Sequence, residues 1–223
     1  MQYKGIIFDF DGTLAKLTID FEKIKKKIIA LADIFFDELD HGVIKEYPLL
    51  ELIEFLTDNL KKTSLTLAKE FNTRCRLLLV DMELRAARGG KLFPFTMKVI
   101  SNLRHRNIKI GVISRNCTPA IKMVFPDIDK VVDVFLPRED VDKVKPHPNH
   151  IIKATQRMGI KKDYVLMVGD HPMDILCAKS GGVDVAAVCS GNVSCEELKN
   201  LDPEFLAKDI YELYKILDQK KCI

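Results

Sequence analysis

KGIIFDFDGT, residues 4–13, decides the fold: a short run of β-branched and aromatic residues that stops at Asp11-Gly12-Thr13. Ile6, Ile7 and Phe8 follow one another with no polar residue between them, so the segment is expected to be a strand buried on both faces and ended by a turn. From Phe93 onward, strand-like and helix-like segments alternate. A helix near 95–106 precedes IKIGVIS at 108–114, and a short helix near 118–124 precedes VVDVFL at 131–136. A helix from about 148 then leads to YVLMVGD at 164–170, and a helix near 172–181 leads to VDVAAVC at 183–189. Two further helices are expected near 194–200 and 203–218. Apolar strands separated by helices predict an α/β fold with a parallel sheet covered on both faces and right-handed crossovers.

Residues 17–90 read differently. Apolar positions recur at helical spacing (Phe21, Ile24, Ile28; Leu49, Leu52, Ile53, Leu56; Leu67, Phe71, Leu78, Met82), and Gly89-Gly90 supplies a stop. The organisation expected is an α/β core of residues 1–14 and 93–223 with an all-helical insert at 15–92. No internal repeat or low-complexity segment interrupts it.

At 223 residues, 47% hydrophobic and 30% charged, the chain can bury a core and is neither a disordered tail nor a disulfide-stapled miniprotein. Lys+Arg 35 against Asp+Glu 32 leaves +3 with the basic residues scattered, too weak a footprint for nucleic acid. No stretch approaches the roughly 18 apolar residues of a membrane span, and Met1–Phe10 has no leader character, so the expected setting is the cytoplasm, without membrane association. The six cysteines (Cys75, Cys117, Cys177, Cys189, Cys195, Cys222) contain no C-x-x-C pair and are expected as reduced thiols.

Ligands of open parallel sheets bind beyond the carboxyl ends of the strands. The residues there are Asp9 and Asp11 after the first strand, Ser114-Arg115-Asn116 after the second, and Gly169-Asp170-His171-Pro172-Met173-Asp174 after a later one; Lys145-Pro146 lies in a loop before a helix. Asp9 and Asp11, at period two, start out on one side of the strand, where two carboxylates repel and raise one pKa unless a cation intervenes. Asp170 could complete a hard oxygen site, and carboxylates without clustered His or Cys favour Mg²⁺. Ser114, neighbouring backbone N–H groups and the Lys145 ammonium supply donors for phosphate oxygens. Such a set suits attack on phosphorus through an aspartyl-phosphate.

DFDGT at 9–13, Ser114 after a strand, the lysine of KPHP at 145–148 and GDHPMD at 169–174 resemble, in order, the four motifs of the haloacid dehalogenase superfamily. The resemblance spans nearly the whole chain, because a helical insert after the first motif resembles that superfamily's C1-type cap. It implies that Asp9 is the nucleophile and a Mg²⁺ ligand, and that Asp11 is the general acid/base whose backbone carbonyl also binds the metal. Ser114 and Lys145 would hold the transferring phosphoryl, Asp170 would complete the metal site, and Asp174 would act on the metal through water or a neighbouring ligand. Asp11 speaks against dehalogenation, since halide leaves without a proton and the superfamily's dehalogenases lack this second aspartate.

Within the superfamily the chain looks most like the phosphoglycolate phosphatase and β-phosphoglucomutase branch, with EDVDKVKPHPNHI at 139–151 closest to the former. Departures are Arg115 after the serine, the His171-Pro172-Met173 filling of the last motif, and Phe93-Pro94-Phe95 after the insert. The resemblance implies a Mg²⁺-dependent phosphatase of a small phosphorylated metabolite, monomeric or homodimeric, with phosphoglycolate as first substrate and the helical insert closing over the site. A phosphomutase is the nearest alternative; a receiver-like signalling domain and a non-catalytic binding protein are alternatives from other classes.

Other residues have plainer readings. His147 and His150 at i, i+3 have no third ligand nearby, so a surface role is expected. Lys25-Lys26-Lys27 reads as a solvated helix face, and Arg74, Arg76, Arg85 and Arg88 mostly point to water. Gly12 and Gly169 read as turn glycines.

Overall fold

The computed structural model describes residues 2–223. In chain order its elements begin with β1 (Gly5–Phe8), β2 (Ala15–Lys16), α1 (Phe21–Ala32), α2 (His41–Lys45), α3 (Leu49–Thr63), α4 (Leu65–Ala87) and β3 (Lys91–Leu92). There follow α5 (Thr96–His105), β4 (Lys109–Ile113), α6 (Thr118–Val124), α7 (Ile128–Val131), β5 (Val134–Leu136), α8 (Asn149–Met158) and β6 (Val165–Gly169). The chain closes with α9 (Pro172–Gly181), β7 (Asp184–Val188), α10 (Cys195–Lys199), β8 (Phe205–Ala207) and α11 (Ile210–Gln219).

Six strands form one parallel sheet in the order β5-β4-β1-β6-β7-β8, so the fold class is α/β, as the alternating pattern predicts. The first strand lies in the middle, which explains why Ile6, Ile7 and Phe8 are all buried. Alternate residues of the strands, Ile7, Ile113, Val165, Met167, Val185 and Ala187, join Ile151, Met158 and Ile175 of α8 and α9 in one apolar cluster, as a two-residue side-chain period requires. Helices α5 and α11 pack against each other, α5 on β4 and α11 on β7 and β8.

Two compact units result, one running up to Leu17 and again from Ala87 to Ile223, the other Thr18–Ala86. The first extends beyond residue 14 and takes up the chain before 93 because Ala15–Lys16 pair antiparallel with Lys91–Leu92, a small sheet the sequence pattern does not reveal. The second unit is helical. Its core joins Ile24 and Ile28 of α1, Leu52 and Leu56 of α3, and Phe71 and Cys75 of α4. Lys26, Lys27, Arg74, Arg76, Arg85 and Arg88 are exposed.

Several expectations are corrected. The helix expected over 203–218 is split: Phe205–Ala207 pair with β7 as a sixth strand, and α11 starts only after Asp209, whose side chain caps it by accepting from the Glu212 N–H at 2.8 Å. The strand expected over 131–136 begins at Val134, because 128–131 close a helical turn. Cys189 and Cys195 form a disulfide where free thiols are expected, since the turn from β7 into α10 brings their Cα atoms to 5.3 Å. Gly169 ends β6 rather than forming a turn; a Cβ there would overlap the Asp174 side chain. His150, expected at the surface, is fully buried at the start of α8, while His147 is exposed.

No helix among the described residues is long and apolar enough to cross a membrane.

Candidate active site

The carboxyl ends of the two central strands set the site. Asp9 follows β1 directly, its N–H donating to the Val168 carbonyl of β6 at 2.8 Å, so the tips of the two strands are tied together. Asp170 follows β6, and α9 begins two residues later with its first turn carrying Asp174. Single carboxylate oxygens of Asp9, Asp170 and Asp174 lie within 4.8 Å of one another. Lys145 arrives from the loop before α8 and places its ammonium between two of these groups, 2.7 Å from Asp9 Oδ1 and 2.6 Å from Asp174 Oδ1. Its side chain is 2% exposed, so the contact is made out of water.

Each carboxylate is held in place. Asp9 Oδ1 accepts from the Phe10 N–H at 2.6 Å, and Asp170 Oδ1 accepts from the Thr13 hydroxyl at 2.8 Å. Asp174 Oδ2 accepts from the His171 N–H at 3.1 Å, and His171 Nδ1 accepts from the Met173 N–H at 3.1 Å, closing a reciprocal cap on α9. Gly12, at φ 83°, is in the left-handed region, and a Cβ there or at Gly191 would overlap the Asp170 carboxylate. The Ser190 hydroxyl donates to the Gly12 carbonyl at 2.7 Å, so the loop after β7 also closes on this corner.

Burial is the main force on the protonation states. It pushes the Asp9 carboxyl up to about 6, with the Asp174 charge adding to the rise and Lys145 opposing it. Burial likewise lifts Asp11 to about 7, although the Leu17 N–H donates to it at 2.8 Å; the Asp9 charge is a smaller cause, so repulsion between the two is not what dominates. Asp170 is raised by burial and by the charges of Asp9 and Asp174. For Lys145 burial acts to lower the pKa, but the charges of Asp174 and Asp9 outweigh it and hold the ammonium protonated.

Three carboxylates facing one ammonium leave two negative charges in a buried place. A divalent cation of hard-oxygen preference would neutralise them, so the donor set of Asp9, Asp170 and Asp174 fits Mg²⁺. Asp11 is outside that carboxylate group, its side chain directed to the Leu17 N–H instead. Asp174 touches Lys145 directly, a contact the sequence reading does not anticipate.

Ser114 directly follows β4 and is 2% exposed. Its Oγ accepts from the Asn116 N–H at 3.1 Å, and its own N–H donates to the Leu136 carbonyl at 3.1 Å. Asn116 Oδ1 accepts from the Cys117 N–H at 2.8 Å, which fixes the amide orientation and leaves Asn116 Nδ2 as a buried donor with no protein partner among the described residues. A buried donor left unmet is costly, about 1–3 kcal/mol, and such a group beside Ser114 fits a site that takes an oxygen-rich ligand. Nothing in the sequence singles out Asn116, because asparagine after a strand is so often a turn residue.

A family model described as haloacid dehalogenase-like hydrolase matches residues 6–188. Pyrophosphatase PpaX of Oceanobacillus iheyensis is 24% identical over 219 residues, 97% of this chain and 98% of the relative. Phosphoglycolate phosphatase of Escherichia coli O157:H7 is 25% identical over 239 residues, 96% of this chain and 92% of that one. Among solved structures, a hydrolase from Pseudomonas syringae superimposes with TM-score 0.68 at 19% identity, covering 97% of this chain and 98% of its own, which speaks for the fold alone.

Proposed function

The chain belongs to the haloacid dehalogenase-like hydrolases, and we propose that within this family it is a Mg²⁺-dependent phosphatase of small phosphorylated metabolites, working through an aspartyl-phosphate on Asp9. One observation carries the reading. A buried ammonium, Lys145, is held between Asp9 and Asp174, with Asp170 completing a carboxylate group that a divalent cation would neutralise.

The geometry supports the following roles. The Asp9 carboxylate attacks phosphorus; an O–P bond to Asp9 forms as the bond to the leaving oxygen breaks. Asp11, lifted to about 7 by burial, is poised to be protonated when the leaving oxygen needs a proton and to take one back from the water that hydrolyses the acyl phosphate. Lys145 and the Ser114 hydroxyl hold phosphoryl oxygens, Lys145 with charge that stays fixed because two carboxylates keep it protonated. Asp9, Asp170 and the Asp11 backbone carbonyl, with Asp174 alongside, would hold Mg²⁺, whose charge would keep Asp9 ionised and screen the incoming dianion.

Phosphoglycolate is the first substrate to test, supported by the relative of that name, and a cytoplasmic monomer or homodimer is the form we propose. The relative named as a pyrophosphatase favours inorganic pyrophosphate as a second reading. Both substrates leave as an oxygen that takes up a proton, so both use Asp11 alike. The test is phosphate release from phosphoglycolate, pyrophosphate and a panel of phosphomonoesters, with Mg²⁺ or EDTA, for the wild type and Asp9→Asn. Metal-dependent turnover lost in the variant supports the proposal; turnover that appears only with a sugar bisphosphate present moves it to a phosphomutase, and none at all sinks it.

A further inference from the structure

Lys145 is gripped by its backbone as well as by its ammonium. Its N–H donates to His150 Nδ1 at 3.4 Å, and its carbonyl accepts from the Arg115 guanidinium. The other ring nitrogen of His150 lies 3.0 Å from the Leu136 carbonyl, and that carbonyl also accepts from the Ser114 N–H at 3.1 Å. Only one form of the ring satisfies both contacts. Facing an N–H, Nδ1 must be the acceptor; facing a carbonyl, Nε2 must carry the hydrogen, so the ring is the neutral Nε2–H tautomer. Burial, with the Lys145 charge assisting, drives the His150 pKa down to about 3 and keeps that form.

We propose that His150 is a positioning residue for the two phosphoryl-holding side chains. Through Leu136 it sets the Lys145 backbone in register with the end of β4 that carries Ser114, and Arg115 holds the other side of the same lysine residue. The proposal rests on the phosphatase reading above and extends it to groups that touch no substrate. A merely space-filling role is a poor account of the ring. An aliphatic side chain fills a buried place at the start of α8 without desolvating two polar nitrogens, and here one nitrogen faces the last carbonyl of β5 and the other the Lys145 N–H. The cross-link ties the end of β5 to the start of α8 and, through the Ser114 N–H on the same carbonyl, to the residue after β4.

The test separates the two ring contacts. His150→Gln places an N–H donor where Nε2 stood and leaves Lys145 without its acceptor; His150→Asn places an acceptor where Nδ1 stood. For each purified variant, inhibition by inorganic phosphate, kcat and KM on the best substrate of the panel, and the thermal midpoint are measured together. The expected result is a Ki for phosphate and a KM raised about tenfold in His150→Gln, the equivalent of one lost hydrogen bond, with restoration to within about threefold in His150→Asn. Arg115→Met, which leaves the histidine untouched, is expected to raise the phosphate Ki about threefold.

Variants that lose thermal stability yet bind phosphate as the wild type does make His150 a packing residue and overturn the proposal, and Arg115→Met decides the point if neither histidine variant folds. A wild type that neither turns over a phosphomonoester nor is occupied by phosphate brings down the phosphatase reading and this inference together. A wild type that does both, beside a His150→Gln equal to it, brings down the inference alone.

Discussion

At the strand ends of the α/β unit, the Lys145 side chain is 2% exposed and lies between two carboxylates, whereas on α4 of the helical unit the Arg74 and Arg85 side chains, paired with Glu70 and Asp81, are 52% and 66% exposed. The same kinds of charge thus meet opposite solvents. A buried pair is costly to create and costly to break, while an exposed i, i+4 pair is screened and contributes little. Glu83 is a buried exception in the helical unit. The α/β unit thus gives up stability to keep carboxylates close together, which is sensible only where a cation or an anionic substrate compensates.

Asp9→Asn carries the largest expected effect on the buried side. Loss of the carboxylate proposed to attack phosphorus is expected to lower kcat by about a thousandfold or more. In EDTA at pH 7 the same change is expected to raise stability by about 1–3 kcal/mol, because the native carboxyl, lifted to about 6, is more costly to ionise than in the unfolded chain. Urea denaturation with and without metal reads both. If the variant is less stable in EDTA, the carboxylate cluster is not held at a cost.

Lys145→Met comes next. Removing the one ammonium leaves Asp9, Asp170 and Asp174 facing one another, and breaking a buried pair in this way costs about 3–5 kcal/mol. The denaturation midpoint is expected to recover partly at low pH, where the carboxylates are protonated, and partly with Mg²⁺. Recovery with neither would mean that Lys145 acts mainly by packing.

The α/β fold is legible because KGIIFDFDGT is followed, from Phe93 onward, by apolar runs that alternate with helical segments. Candidate residues at strand ends were legible for a topological reason: parallel strands point their carboxyl ends one way, so Asp9, Ser114 and Asp170 had to share an edge. The contact of Asp174 with Lys145, separated by 29 residues, was not legible, because it depends on the loop from β5 to α8. Neither was the burial of His150, whose partners are carbonyl and amide groups of other segments. Phe205–Ala207 is too short for period two and period 3.6 to be told apart, so β8 was hidden within an expected helix.

Acid sharpens the comparison further. His150 is neutral in the native state with its pKa down at about 3, so its contribution is present above the unfolded value near 6.5 and is lost as pH falls toward 3. Asp9 has the opposite sign: lifted to about 6, it favours folding increasingly as pH falls from there to the unfolded value near 3.8. The difference between wild type and His150→Gln, followed by urea midpoints from pH 7 to pH 4, isolates the histidine. The stability gap between them is expected to shrink by about 1.4 kcal/mol for each pH unit below 6.5. A constant gap would show that the ring takes up protons alike in the folded and unfolded chain.

Smaller still is the effect of reducing Cys189–Cys195. The bridge closes a short loop, so its removal costs about 2 kcal/mol by the chain-entropy estimate. That loop carries the Ser190 contact to the Gly12 carbonyl and places Gly191 against Asp170. A dithiol reductant is therefore expected to lower the thermal midpoint and to weaken Mg²⁺ retention slightly, whereas a change in the midpoint alone would confine the bridge to stability.

The smallest effect belongs to the exposed side of the comparison, and it is the one that makes the buried side meaningful. Arg74 reaches Glu70 at 2.5 Å and also lies 5.7 Å from the Phe35 ring, so a list of contacts would rank it beside Lys145. Solvent argues otherwise. With the two side chains 52% and 44% exposed, salt screens the pair, and a double-mutant cycle of Arg74→Ala and Glu70→Ala is expected to return about 0.3–0.5 kcal/mol, falling with added salt. A coupling near that of Lys145 would mean that distance rather than burial sets the worth of these charges, and the reason for reading the strand-end cluster as a site would go with it.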